Sequence, residues 1–256
     1  MSALSGKIEH GMISSALGHE FVGSVSRVLA RRRRTLTGDR RARTGLPPRL
    51  ATRRPAASRL PVMNLAVPAT MVAAYLIGSL DFAVVVARAR GLDIYEEGSG
   101  NPGTSNVLRT LGKGAAALTL LGDVLKGVIA AAMGYVVAGE AGAAAAGFFA
   151  VLGHCFPILH RFKGGKGVAT GAGLLLWMMP KSALVLIVIW VLLVAVTRVA
   201  SIGSLTVMVL AVPAAWFEDI GWAGLVWVAA AVSLVIIRHR GNIARLFGSG
   251  ERKVIS

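Results

Sequence analysis

Three segments of this chain gather the residue types that hold an anion. The first is Gly98-Ser99-Gly100-Asn101-Pro102-Gly103-Thr104-Ser105-Asn106, followed by Arg109. Glycine lets a backbone turn tightly and bring its N–H groups close to a ligand. Ser, Thr and Asn add neutral donors, and the Arg109 guanidinium adds a two-pronged cation. Gly98, Ser99, Gly100, Asn101, Asn106 and Arg109 are therefore candidate binding residues. The second segment is Gly153-His154-Cys155-Phe156-Pro157, then Phe162-Lys163-Gly164-Gly165-Lys166-Gly167-Val168-Ala169-Thr170. A glycine-rich loop bracketed by two lysines and opening into a helix is an anion cradle, because the helix N-terminus lends its N–H groups and dipole. Lys163, Gly164, Gly165, Lys166 and Gly167 are its candidates. The spacing is not that of a nucleotide P-loop, so ATP is not expected. The third segment is split. Thr197-Arg198-Val199-Ala200-Ser201-Ile202-Gly203-Ser204 supplies Ser201, and Arg238-His239-Arg240-Gly241-Asn242-Ile243 supplies Arg238, His239 and Asn242. In a helix, His239 and Asn242 share a face. Plainer readings stand beside these. The first segment is also a polar turn, the second a basic loop that anchors topology, and Arg238 and Arg240 are ordinary snorkelling residues at a span end.

The elements that must position these segments are apolar. The chain has 256 residues, is 55% hydrophobic and has a mean hydropathy of +0.66. Its apolar runs approach the roughly 20 residues that span a bilayer. They are continuous, not alternating, which argues for helices and against a barrel. The reading is an all-α polytopic membrane protein of about seven transmembrane helices, at 65–87, 115–137, 143–159, 168–180, 182–196, 205–217 and 221–237. Alternate loops 88–113, 160–167 and 197–204 and the tail after 237 carry 13 Lys and Arg, against one lysine in the opposite loops. The positive-inside rule then puts the basic side, the C-terminus and all three segments in the cytoplasm, with the N-terminal end outside. Asp123 and Lys126 fall inside a span, where charges are costly and face the bundle interior. A structural ion pair is the favoured reading for them. With the single cysteine, Cys155, no internal disulfide or thiolate-rich metal site is available. No metal and no cofactor are expected.

Residues 1–62 differ in kind. They hold 13 Lys and Arg against three acids and are rich in proline, arginine and alanine near Pro47 to Pro61. Such a segment buries too little apolar surface to order itself. A nucleic-acid or anionic-lipid arm and a transit peptide are alternative readings. The favoured reading is a disordered basic extension, non-native, with Met63 as the true start. A strongly basic tail on the outer face conflicts with the charge rule, and a start at Met63 removes that conflict. Residues 63–256 then form one transmembrane domain, and no nucleic-acid partner is expected.

The chain resembles the PlsY family, the bacterial acyl-phosphate:glycerol-3-phosphate acyltransferases. The resemblance runs from Tyr75 to Lys253. It is carried by Tyr75-Leu76-Ile77-Gly78-Ser79, Gly98 to Asn106 with Arg109, Asp123 to Gly127, Gly153 to Pro157, Phe162 to Thr170, Ser201, and Arg238 to Ile243. The family usually has Pro-Phe-Gly where this chain has Asp81-Phe82-Ala83, Gly-Ala-Thr-Asn where it has Gly103-Thr104-Ser105-Asn106, and Glu where it has Gly241. The resemblance implies a seven-helix membrane enzyme of the bacterial cytoplasmic (inner) membrane. It would move a fatty acyl group from acyl phosphate to sn-glycerol 3-phosphate, giving lysophosphatidic acid, the first step of phospholipid synthesis. It further implies Ser99, Arg109, Lys166, Ser201, His239 and Asn242 at the substrate site, and phosphate on the loop Gly164 to Gly167. The partners expected are the two substrates and the lipid bilayer, and the chain is expected to be a monomer. The chemistry is coherent: an acyl phosphate is already activated, so the site must neutralise phosphate, hold the acceptor hydroxyl and stabilise an oxyanion. The acceptor's proton goes either to His239 or to the donor's own phosphate. A carrier for an organic phosphate is the alternative. It would use the same loops, but it should also show an internal repeat and helices broken at mid-membrane.

Overall fold

The computed structural model describes residues 65–248 and 250–254, so the extension 1–62 and Met63 lie outside the described residues. The described residues fall within one compact unit, Leu60–Ser256. They form eight α-helices: α1 Ala66–Gly78, α2 Phe82–Arg88, α3 Thr104–Cys155, α4 Val168–Met178, α5 Pro180–Thr197, α6 Ala200–Phe217, α7 Gly221–Arg238 and α8 Arg240–Phe247. Five helical stretches among the described residues are long and apolar enough to cross a membrane: Ala66–Arg88, Thr104–His160, Pro180–Thr197, Ala200–Phe217 and Gly221–Arg238.

The five stretches and the seven expected spans differ at two places, because α3 folds back on itself and holds two of the expected spans, and because α4 is shorter than any of the five stretches. A straight helix of 52 residues would be about 78 Å long, more than twice a hydrocarbon core of about 30 Å. Its backbone leaves helical geometry at Gly112 (φ 81°), Ala138 (φ −143°) and Gly139 (φ 63°). Gly139 sits in the left-handed region, where a side chain would be strained. A Cβ on Gly134 would land on the carbonyl oxygen of Gly142, and one on Gly142 would land on that of Gly134. Residues eight apart in a straight helix are about 12 Å apart, so the chain reverses here and 113–137 packs antiparallel to 140–155. The two arms correspond to the expected spans 115–137 and 143–159. A second difference concerns 88–113, expected as loop. Its later part, 104–111, is helical and runs into α3 through the left-handed Gly112. The expected span 168–180 is α4, only 11 residues long, which is about 16 Å or about half a hydrocarbon core.

Close packing replaces the hydrophobic effect between helices in lipid, and it needs small residues. The first arm of α3 meets α4 where Gly127 faces the backbone of Thr170 and Gly173 faces that of Val124. The second arm meets α1 through Gly78 against Ala150 and Gly153 against Tyr75. Larger side chains fill the interior between α4, α6 and α7, including Leu174, Met178, Met208, Val228 and Val235. At one end of the bundle Trp216 and Trp222 stack edge to face at 5.6 Å beside an exposed Phe217, an aromatic pair of the kind found at membrane interfaces. Residues of all three candidate segments gather at the other end.

The charges inside α3 are buried and ion-paired. Lys126 Nζ lies 2.8 Å from Asp123 Oδ1, donates to the Leu80 carbonyl at 2.8 Å and lies 2.8 Å from His154 Nδ1. An ammonium has no lone pair, so the imidazole nitrogen accepts. One cation thus joins the first arm of α3, the second arm and the break after α1. At that break Asp81 caps α2, its Oδ1 accepting from Ala83 N at 3.0 Å and Val84 N at 3.3 Å.

Candidate active site

Hydrogen bonds draw the three segments into one rim. Tyr95 Oη donates to the Lys163 carbonyl at 2.7 Å, tying the first segment to the second. Burial beside Asp81 and Asp93 pushes the Tyr95 phenol up to about 12, so it remains the donor. Arg238 donates to the carbonyls of Gly165 at 3.1 Å and Gly164 at 2.8 Å, tying the second segment to the end of α7, and its guanidinium lies 5.0 Å from the Phe156 ring centroid. The tail beyond α8 returns across the top. Arg252 Nη1 donates to the Gly98 carbonyl at 3.0 Å, Arg109 Nη1 to the Lys253 carbonyl at 3.3 Å, and Val254 N to the Arg198 carbonyl at 2.8 Å.

Beneath this rim lies a cavity of about 350 Å³. Its mouth is polar, with Asn101, Arg109, Lys166, Ser201, His239 and Asn242 on the wall. Its body is apolar and runs between α4, α5 and α6 past Leu175, Ala183, Leu186, Trp190, Val207 and Met208. From Ser201 to Met208 is seven residues of helix, about 10 Å of depth.

Lys166 is half-buried, and among the described residues it has no hydrogen-bond or ion-pair partner. Burial pulls its ammonium down to about 8. Glu251 opposes that fall, while Arg245, Arg109 and Arg238 add to it. A cation held in such surroundings gains from an incoming anion more than a solvated one does. The Ser201 hydroxyl is buried, has no hydrogen-bond partner among the described residues and lies on the cavity wall. His239 is buried, and its Nδ1 lies 2.8 Å from the Val235 carbonyl. A carbonyl only accepts, so Nδ1 carries the proton and Nε2 keeps a free lone pair. Burial, with Lys166 and Arg238 adding to it, holds the imidazole down at about 4. It is neutral at pH 7 and serves as a hydrogen-bond acceptor.

The structure thus brings Arg109, Lys166, Gly167, Ser201, His239, Asn242 and Asn101 to one cavity. It gives the other candidates different places. Ser99 is exposed at the rim, with Oγ 3.5 Å from Arg109 Nη2. Asn106 is a framework residue. Its Oδ1 accepts from Ser99 N at 2.8 Å and its Nδ2 donates to the Glu97 carbonyl at 2.9 Å, which closes the first loop. Gly98 and Gly100 have φ of 58° and 67°, so they serve that turn and are not on the cavity wall. Lys163 points to solvent. Gly164 and Gly165 pack against the His154 region, where a Cβ on Gly165 would land on His154 Nε2, and their carbonyls are held by Arg238. Arg238 therefore braces the cradle, and it is not on the cavity wall. Sequence reasoning missed His154, Glu251 and Arg252, all on the wall. His154 sits in the second segment beside the glycines, but no spacing rule marks it. Glu251 and Arg252 enter only because the tail turns back.

Residues 68–249 match the family described as glycerol-3-phosphate acyltransferase. A glycerol-3-phosphate acyltransferase of Neisseria meningitidis serogroup B is 42% identical over 197 residues, covering 73% of this chain and 96% of that protein. One of Jannaschia sp. is 45% identical over 186 residues, covering 72% and 91%. The crystal structure of PlsY (YgiH), an integral membrane glycerol 3-phosphate acyltransferase, in its glycerol 3-phosphate form superposes with a TM-score of 0.71 at 34% identity, covering 73% of this chain and 95% of that one. Its lysophosphatidic acid form gives 0.69 at the same identity. The resemblance carried by the motifs is borne out: the chain belongs to the glycerol-3-phosphate acyltransferase family, of the PlsY type.

Proposed function

We propose that this protein transfers a fatty acyl group from an acyl phosphate to the primary hydroxyl of sn-glycerol 3-phosphate. One observation carries the reading: a single cavity joins a mouth of cations and hydrogen-bonding groups to an apolar body open between helices. Glycerol 3-phosphate fits the mouth, and a fatty chain fits the body. The solved relatives with glycerol 3-phosphate and with lysophosphatidic acid, at 34% identity, support the same pair of ligand chemistries.

In this mechanism Arg109 and Lys166 hold the substrate phosphates, and the N-terminal turn of α4 past Gly167 adds backbone N–H groups. The Ser201 hydroxyl supplies a neutral donor at the reacting end. The acceptor hydroxyl oxygen attacks the acyl carbonyl carbon, the bond from that carbon to the phosphate oxygen breaks, and inorganic phosphate leaves. A His239 held at about 4 is a weak base, so the hydroxyl proton passes to the departing phosphate, while His239 Nε2 orients the hydroxyl. No residue of the protein forms a covalent intermediate.

The membrane arrangement follows from the same reading. The two arms of α3 cross separately, and with α1–α2 and α4 to α7 they make seven crossings. The end bearing the cavity carries the basic loops and faces the cytoplasm of a bacterial inner membrane. Residues 63–256 act as one transferase domain and work as a monomer. The decisive assay incubates purified full-length protein with acyl phosphate and labelled glycerol 3-phosphate. Formation of labelled lysophosphatidate with release of one phosphate per acyl transferred supports the reading. Product that forms only when acyl-CoA or an acyl carrier protein replaces acyl phosphate overturns it.

A further inference from the structure

We propose that Glu251, on the returning tail, is a positioning residue that fixes the amide of Asn242 so that its oxygen, not its nitrogen, faces the acceptor substrate. This rests on the cavity's mouth being the glycerol 3-phosphate site. Glu251 lies beyond α8 in sequence, yet its side chain is only 5% exposed. One carboxylate oxygen accepts from Asn242 Nδ2 at 3.0 Å. Arg245 grips both oxygens, from Nε at 3.1 Å and Nη2 at 3.3 Å. The flanking backbone is pinned as well, through the Arg252 side chain to Gly98, the Lys253 carbonyl to Arg109 and the Val254 amide to Arg198. The carboxylate therefore has little freedom to leave.

A carboxylate can only accept, so the nitrogen of the Asn242 amide must be the end that meets it. The oxygen is then directed away. It accepts from no described donor, and it is not among the buried polar atoms left without a partner. Asn242 lines the cavity, so with its nitrogen held by Glu251 the oxygen is the end the amide has left to offer a bound acceptor. His239 Nε2, one helical turn back, is also an acceptor. Two acceptors stand side by side for hydroxyl hydrogens, while Arg109, Lys166 and the Ser201 hydroxyl supply donors for phosphate and oxyanion. Without Glu251 the amide would be free to turn its NH2 inward and present a donor where an acceptor is required.

The test uses purified full-length protein with glycerol 3-phosphate and acyl phosphate varied in turn. Glu251→Gln keeps an accepting oxygen for Asn242, and its KM for glycerol 3-phosphate stays within about threefold of wild type, less than one hydrogen bond's worth. Glu251→Ala removes the acceptor and raises that KM about tenfold, the equivalent of one lost hydrogen bond, while KM for acyl phosphate stays within about twofold. If both KM values rise alike, or Gln is as damaging as Ala, the tail is only a strap and the inference is wrong. Should the alanine variant not fold, Asn242→Asp and the double variant Asn242→Asp with Glu251→Gln decide. Asp opposite Glu251 sets two carboxylates together, whereas the double variant rebuilds the pair with donor and acceptor exchanged. Recovery of about tenfold or more in the double variant over the single supports the inference, since it matches one restored hydrogen bond, and no recovery overturns it. Wild type that makes no lysophosphatidate sinks the functional reading and this inference together. Active wild type with Glu251 variants insensitive throughout sinks this inference alone.

Discussion

Replacing Lys166 with alanine removes the one wall cation that has no protein partner among the described residues. Its anion would then be left in a partly desolvated mouth. Truncating one member of such a pair costs about 2–5 kcal/mol, so kcat/KM for glycerol 3-phosphate or acyl phosphate should fall by about thirtyfold to several thousandfold. The protein should still insert and fold, because among the described residues no side chain relies on Lys166 for a hydrogen bond. Lys113, exposed beyond the rim, provides the control: Lys113→Ala should change kcat/KM by less than about twofold, as a solvent-screened charge does. The pH dependence sharpens the test. The free enzyme's Lys166 sits at about 8, lowered chiefly by burial. It is charged below that pH and neutral above it, so kcat/KM falls as pH rises through about 8. Lys166→Arg stays charged across this range and should lose that limb even if its absolute rate is lower. The assay is initial-rate formation of labelled lysophosphatidate in detergent from pH 6 to 10. Equal, modest losses at Lys166 and Lys113 would refute the reasoning, because they would mean that the basic loops attract anions only through their general field.

Three further outcomes are expected. His239 is held at about 4, so any acid limb near pH 6 belongs to substrate phosphate and should persist in His239→Gln; a limb that vanishes with the substitution would restore His239 as the base. Gly173→Ala would drive a Cβ onto the Val124 carbonyl and should cost about 1–3 kcal/mol of stability, read as a lower melting temperature in detergent, whereas Gly114→Ala, with open space around it, should be neutral or stabilising by up to about 1 kcal/mol. In a Cys155→Ala background, Gly248→Cys should resist an impermeant thiol reagent in intact cells while Asp219→Cys at the opposite end is labelled; the reverse pattern would invert the proposed orientation.

The chemistry and the helical class were legible in the chain because they depend on local composition. Apolar runs of near-bilayer length define helices, since lipid offers the backbone no other partner. Glycine, lysine and hydroxyl residues cluster at the ends of those runs, and the family resemblance carried by those motifs named Lys166, Ser201 and His239 as a set. The pairing of Asp123 with Lys126 was likewise visible, being three residues apart on a helix. Composition does not decide which member of a motif faces the ligand and which holds the motif in shape. Arg238 and Asn106 read as ligands, yet both donate to the carbonyls of Gly164, Gly165 and Glu97 and neither is on the cavity wall. That assignment depends on where neighbouring loops lie, a non-local fact. The reversal at Ala138–Gly139 could be counted in hydropathy but not aimed. Its direction comes from the mutual fit of Gly134 and Gly142. Glu251 was out of reach altogether. It is an ordinary acid in a basic tail until the chain folds back and sets its carboxylate beside Asn242 and Arg245. Those partners lie only nine and six residues back, but the tail is held over them by Arg252, Lys253 and Val254 bonding to Gly98, Arg109 and Arg198, and only tertiary structure brings those distant segments together.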